Sequence, residues 1–322
     1  MNAVGTPTLW AVTLAAVLVL VAADFVLTRR PHEVSLREAG WWSAFYIALP
    51  LAFGAWVWSR YGGERGTEFL AGYIVEKSLS VDNLFVFMLL LAAFAVPAEL
   101  QQRVLLYGIV GALVLRGVFI ALGAAALERF TFTFLIFGLI LLATAVKVFK
   151  DARSGHDKEV DVSSLRSVRL LRRFFPVTDD YAGPRMVVRQ AGRRALTPFA
   201  VVVVAVLATD VVFAVDSVPA VYGITEDPYL VFATNAFALL GLRALYFLLA
   251  GVLTKLVHLG YGLAAILAFI GVKLVLHWAH KVWPSTPEIP TLVSLGVIIG
   301  ILALVTVTSL LANRRQSVTA GS

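Results

Sequence analysis

Nine apolar runs divide the chain, at 8–27, 40–59, 66–94, 104–127, 131–149, 197–222, 229–253, 258–278 and 289–311. Most match the roughly 20 residues that a helix needs to cross the hydrocarbon core of a bilayer. Backbone in hydrocarbon finds no water, so each run must close its hydrogen bonds within itself. A helix does this and a lone strand does not, however many Val and Ile residues the run contains. The composition agrees, with 60% hydrophobic and 15% charged residues and a mean hydropathy of +0.86. The expected fold is an all-α polytopic membrane protein of about nine transmembrane helices.

There is no cysteine, which excludes disulfides, thiolate metal sites and cysteine nucleophiles. The first run has no basic residue before it and Arg29 and Arg30 behind it. That flank suits an anchoring helix with its N-terminus outside, not a cleaved leader. Most of the net charge of +7 lies between Lys147 and Arg194, in VRLLRRFF and VRQAGRRA. Basic segments stay on the cytoplasmic side. Placing this one there brings Arg103, Lys255, Arg314 and Arg315 inside and puts Glu226 and Asp227 outside. The expected location is the bacterial cytoplasmic membrane, multi-pass, with the N-terminus outside and the C-terminus in the cytoplasm. The basic segment reads as a solvated, partly ordered linker. No nucleic-acid partner is expected.

Two charged stretches interrupt the apolar pattern, EKSLSVDNLFVF at 76–87 and DVVFAVDSVPAV at 210–221. Each reads acid, five residues, aspartate, small polar residue: Glu76 with Asp82 and Asn83, then Asp210 with Asp216 and Ser217. One run later, VLRGVF carries Arg116 and GLRALYF carries Arg243. A further run on, AVKVF carries Lys147 and GVKLV carries Lys273, at intervals of 31 and 30 residues from the arginines. The chain therefore divides into two N-terminal helices (1–65), a three-helix unit (66–149), the basic linker (150–196), a second three-helix unit (197–280), and a last helix with its tail (281–322). An odd number of helices per unit inverts the second copy in the bilayer. Inverted repeats are a hallmark of secondary transporters, whose sites lie near the midplane on broken helices.

A charge at the bilayer centre costs about 2.5–3.5 kcal/mol on insertion scales, so these acids must face each other or water. On a regular helix Glu76, Ser80 and Asn83 share one face, with Asp82 on another roughly 120° away. Both acids reach one cavity only if the helix bends. In the second copy Pro219 is expected to break the helix and free the carbonyl of Val215 as a further ligand. Carboxylates, Asn83, Ser80, Ser217 and loose carbonyls form an all-oxygen set, which suits Mn²⁺, Ca²⁺ or Mg²⁺ rather than Zn²⁺ or Cu⁺. Arg116 and Arg243 read as counter-ions, or as competitors for the carboxylates once an ion has left, with Lys147 and Lys273 nearer the ends. Asn235 either lines the cavity or makes a plain interhelical bond. His277 and His280 read as an interfacial pair beside Trp278 and Trp283, and Asp24 as a snorkelling helix-end residue.

EKSLSVDNLFVF and TDVVFAVDSVPAVYGIT resemble the motifs of the TerC family of integral membrane proteins, and the resemblance runs from about 66 to 280. It implies a branch of the lysine-exporter-like superfamily with inverted three-helix repeats. Several members are implicated in manganese efflux, and the family name reflects tellurium resistance. By resemblance, Glu76, Asp82, Asn83, Asp210, Asp216 and Ser217 match the positions expected to form the ion path. Asp82 and Asp216 are expected as central ligands, with Glu76 and Asp210 completing the cage or relaying protons. Lys77, directly after the glutamate, is an unexplained charge in the motif. The expectation is a transporter exporting divalent metal ions, manganese foremost, with protons as a coupling ion, no resident cofactor and no enzyme activity. One rival is a non-transporting scaffold or stress-resistance protein. An intramembrane aspartyl protease is a weaker rival, because the Gly-x-Gly-Asp and Pro-Ala-Leu motifs of such enzymes do not occur.

Overall fold

The computed structural model describes residues 4–27, 36–153, 175–178, 180–190, 193–249 and 258–319, and within the helices it leaves a few side chains undescribed, that of Asp82 among them. The chain first runs through α1 (Pro7–Leu27), α2 (Leu36–Tyr61), α3 (Gly63–Ala93), α4 (Ala98–Arg129) and α5 (Thr133–Arg153). An antiparallel hairpin follows, β1 (Val187–Gln190) and β2 (Arg193–Leu196), with Val187 opposite Leu196. The second half holds α6 (Pro198–Tyr222), α7 (Pro228–Leu240), α8 (Leu242–Leu249), α9 (Leu259–Val282) and α10 (Thr291–Thr319).

Among the described residues, seven helices are long and apolar enough to cross a membrane: α1, α2, α4, α5, α6, α9 and α10. The expected run at 66–94 corresponds to α3, which has the length at 31 residues but carries Glu64, Arg65, Glu68, Glu76, Lys77 and Asp82. The run at 229–253 is divided at Gly241 into α7 and α8, and its last residues lie outside the described ones. The described part of the linker region carries its own hydrogen bonds. Beyond the hairpin, Leu196 donates to the Pro176 carbonyl at 2.8 Å and Thr178 donates to the Leu196 carbonyl at 2.9 Å.

Local chemistry sets the helix boundaries. Gly62, at φ 92°, adopts a left-handed conformation that lets α2 reverse into α3 in one residue. Thr197 caps α6 through the Ala200 amide, with Pro198 in the first turn. Asp227 caps α7, accepting from the Tyr229 amide at 2.9 Å, and also accepts from the Val4 amide at 2.6 Å, fixing the chain before α1.

α3 lies at the centre, against α2, α6, α7 and α10. α5 and α9 pack closely along their lengths, and two glycines make this approach possible. A Cβ on Gly138 would sit 2.9 Å from the Gly271 carbonyl, and one on Gly271 would sit 3.0 Å from the Gly138 carbonyl. Small residues at helix crossings are how membrane helices gain packing without a hydrophobic driving force.

Candidate functional site

Two helix faces build the site. On α3, Glu76, Ser80 and Asn83 recur at helical spacing and are all buried. On α6, Asp210 and Ser217, seven residues apart, share a buried face. The helix between them is unbroken. α6 runs continuously from Pro198 to Tyr222, and α3 from Gly63 to Ala93. This corrects the expected break at Pro219. The proline falls in the last turn, where the Gly223 amide already returns to the Pro219 carbonyl at 2.9 Å, so the helix ends close by without unwinding. Asp216 consequently stays roughly 120° from Asp210, by 100° per residue, and is half-buried on another face.

Between the two faces stands Arg116 of α4, 1% exposed, beside Glu76 at 0%, Asp210 at 1% and Asn235 at 1%. Its Nη1 donates to Glu76 Oε1 and, at 2.8 Å, to Asn235 Oδ1. Its Nη2 donates to Asp210 Oδ1 at 3.3 Å. Asn235 gives its amide N–H to the Val231 carbonyl at 2.9 Å, which turns its oxygen toward the guanidinium. Both alternatives for Asn235 thus meet in one residue, which bonds across helices within the site. Two carboxyl groups share one guanidinium, so the trio sets two acids against one base.

Two carboxylate oxygens of this trio, Glu76 Oε2 and Asp210 Oδ2, are buried without a hydrogen-bond partner; so are Ser80 Oγ, about 6 Å along α3 from Glu76, and Ser217 Oγ, about 10 Å along α6 from Asp210 in the opposite direction. Unpaired buried acceptors are costly, about 1–3 kcal/mol each and more when charged, so these oxygens call for a partner from outside the chain, water or an ion. The donors are all oxygen, which fits a hard cation. Among the described residues, however, no three His, Cys, Asp or Glu side chains converge as a ready metal cage.

The remaining expected residues go elsewhere. Arg243 pairs with Asp24 of α1, at 7% and 5% exposure. Asp24 therefore does not snorkel to the interface; α8 lies against α2 and delivers an arginine to it. Lys147 is exposed and Lys273 half-buried, and neither has a contact in the trio. Lys77 donates to the Ala238 carbonyl at 3.3 Å, at the C-terminal end of α7, where a cation meets the negative pole of the helix.

The pattern of these elements matches a known family. The family model described as "Integral membrane protein TerC family" matches residues 61–317, which include α3 to α9, most of α10 and every residue of the trio. The chain belongs to the TerC family. An "Uncharacterized membrane protein STKORF319" of Myxococcus xanthus is 41% identical over 312 residues, covering 97% of this chain and 94% of its own. A "Putative membrane-bound redox modulator Alx" of Escherichia coli is 40% identical over 327 residues, covering 98% of each. No solved structure matches. α1 and most of α2 precede the matched TerC region, yet Asp24 ties α1 into it through Arg243.

Sequence reasoning missed a cavity of about 1110 Å³ on the face where α6 and α9 end and α3, α7 and α10 begin. It is lined by Glu68, Tyr222, Glu226, Lys273, His277 and Glu288, among others. Glu68 Oε2 accepts from Arg65 and from Thr225 Oγ1, both at 2.8 Å. His277 stands between Glu226, at 2.9 Å, and Glu288. His280 bonds the Thr286 carbonyl at 2.6 Å. The two histidines thus act separately, tying loops to the end of α9. His277 beside it, with Lys281, holds the Glu226 carboxyl below its ordinary range, against the opposing effect of burial. Glu68 lies eight residues before Glu76, about 12 Å along α3 at 1.5 Å per residue; that spacing is the signal that could have found it.

Proposed function

We propose that this TerC protein exports hard divalent cations, manganese foremost, through the carboxylate site between α3 and α6. The observation that carries the reading is the pair of unpartnered buried carboxylate oxygens, Glu76 Oε2 and Asp210 Oδ2, on two helices joined through Arg116. Hard ions take oxygen ligands in this way, whereas Zn²⁺ and Cu⁺ favour nitrogen and sulfur. Asn83 shares the face of Glu76, whereas Asp216, expected as a central ligand, stands on another face of α6.

Helix contacts support the inverted repeat. Pairing α3 with α6, α4 with α7, and α5 with α9 predicts three reciprocal contacts. α3 packs on α6, α5 packs on α9, and the α3–α7 contact has its counterpart in α4–α6. A two-fold relation makes each of these the image of itself or of another. The cavity at Glu68 supplies an aqueous approach from one side. Protons serve as the coupling ion in this reading, and the bacterial cytoplasmic membrane is the location, with the basic segment inside.

The relatives named as redox modulators offer a second reading. This chain has no cysteine, so a thiol cannot carry electrons in it. Transport of a redox-active metal ion would alter redox balance indirectly and reconciles that name with the site.

The test is Mn²⁺ flux into liposomes containing the purified protein. Wild type is expected to transport, while Glu76→Gln and Asp210→Asn lose at least about tenfold in rate, the scale set by removing one charged ligand. Equal flux in protein-free liposomes would sink the transporter reading, and full activity in both variants would sink the site.

A further inference from the structure

We infer that Arg116 is a tethered stand-in for the transported cation, and that its charge makes the site select divalent over monovalent ions. This rests on the cation-transport reading of the same site.

Arg116 is not dedicated to one carboxylate, as an arginine in a two-pronged pair with a single acid is. Here Nη1 takes Glu76 and Nη2 takes Asp210, so the group bridges carboxylates from two helices. Its Nε is buried with no hydrogen-bond partner. The carboxylate oxygens it does not hold, Glu76 Oε2 and Asp210 Oδ2, are the unpartnered ones. An ion that chelates either carboxylate through both oxygens must take one from Arg116. The guanidinium sits where the cation would.

The second half of the chain sharpens this. Arg243 occupies the matching place in the sequence pattern, yet it pairs with Asp24 of α1. Two arginines between Glu76 and Asp210 would neutralise the trio. With both acids ionised, one arginine leaves the trio a single negative charge, and that sets which exchange is favourable. A monovalent ion replacing the guanidinium restores the same charge and forfeits charge-assisted hydrogen bonds. A divalent ion replaces one positive charge with two and brings the carboxylate pair to neutrality in a low-dielectric site. Arginine is suited to this because it stays charged whatever its surroundings.

The inference is tested on the full-length protein in detergent, by calorimetric titration with Mn²⁺ in the presence and absence of Na⁺. Arg116→Gln is expected to bind Mn²⁺ about tenfold or more tighter than wild type, and Na⁺ at tens of millimolar is expected to compete with it, as it does not with wild type. Flux in liposomes should slow, because nothing helps to expel the ion. A merely structural arginine predicts the opposite sign, weaker binding. Arg116→Lys guards against misfolding of the first variant. Lysine keeps the charge but lacks the fork, so Mn²⁺ should bind about threefold tighter or more, with Na⁺ still excluded. Folded variants that bind Mn²⁺ no tighter than wild type overturn the inference. A wild type that binds no divalent ion overturns the transport reading itself, and this inference with it.

Discussion

Glu76 and Asp210 are each held by Arg116 through one oxygen, which leaves the other without a partner. Both acids were legible in the sequence because the repeat displays them twice at matching positions. Their pairing with a single arginine was not. It joins residues 40 and 94 positions apart, and no local pattern encodes that choice. Asp24 illustrates the same limit. Alone at the end of α1 it resembles a residue reaching for the interface, and its partner lies 219 residues away. The burial of both groups makes the pair sensitive to truncation. Asp24→Asn leaves the Arg243 charge buried beside a neutral amide, and breaking a buried pair costs about 3–5 kcal/mol. The expected outcome is a lower melting temperature in detergent. Replacing both residues with leucine should recover most of the loss, since a well-packed apolar pair is often no worse than a buried ion pair. A melting temperature unchanged in Asp24→Asn would show that the pair contributes nothing.

At the scale of the element, hydropathy revealed the helices but misplaced the break. Pro219 was the conspicuous breaker, yet a proline in a final turn removes little, and α6 continues to Tyr222. The division falls at Gly241, inside a run that reads as continuous hydrophobic helix. Glycine is about 1 kcal/mol less favourable than alanine in a helix. Lys77 supplies what the interruption needs, a donor to the Ala238 carbonyl, and Gly241 leaves room for it: a Cβ there would sit 3.0 Å from Lys77 Nζ. The unexplained lysine of the first motif thus serves the second repeat. Close packing of α5 on α9 was also invisible, because glycine in a membrane run signals nothing by itself. It predicts a contrast. At Gly138 an added methyl meets the Gly271 carbonyl at 2.9 Å and the Val275 amide nitrogen at 3.2 Å, backbone atoms that cannot rotate away. Gly138→Ala should destabilise by about 1–3 kcal/mol, as overpacking does. Gly117→Ala meets nothing within 4 Å and should be neutral or slightly stabilising. Thermal unfolding of the two variants side by side checks this, and equal melting temperatures would remove the glycine contact from the account.

For the whole molecule, the two faces of the bundle differ in charge, and that asymmetry predicts orientation. The hairpin segment carries Arg185, Arg189 and Arg194 and packs against the turn after α3, where Tyr181 donates to the Phe94 carbonyl at 2.9 Å. Arg103, Lys147, Lys150 and Arg153 lie near the helix ends on this same side. The opposite side holds the cavity, where Glu64, Glu68, Glu226, Asp227 and Glu288 outnumber Arg65 and Lys273, and Arg60, Arg129 and Lys281 are further basic residues at its helix ends. Membrane insertion retains lysine and arginine in the cytoplasm and is nearly indifferent to acids, so the cavity should open outside. An exporter then releases its ion through an acidic mouth, whose negative potential would keep cations from returning to bulk quickly but would not bar their diffusion along the surface. The absence of cysteine makes the test clean, since one introduced thiol reports alone. Glu64 and Glu99 are both exposed, at the start of α3 and of α4, on opposite faces. In right-side-out spheroplasts a membrane-impermeant maleimide should label Glu64→Cys, and should label Glu99→Cys only after the membrane is permeabilised. Labelling of Glu99→Cys alone in sealed spheroplasts would reverse the topology, and the cavity would then be the door by which the ion enters from the cytoplasm.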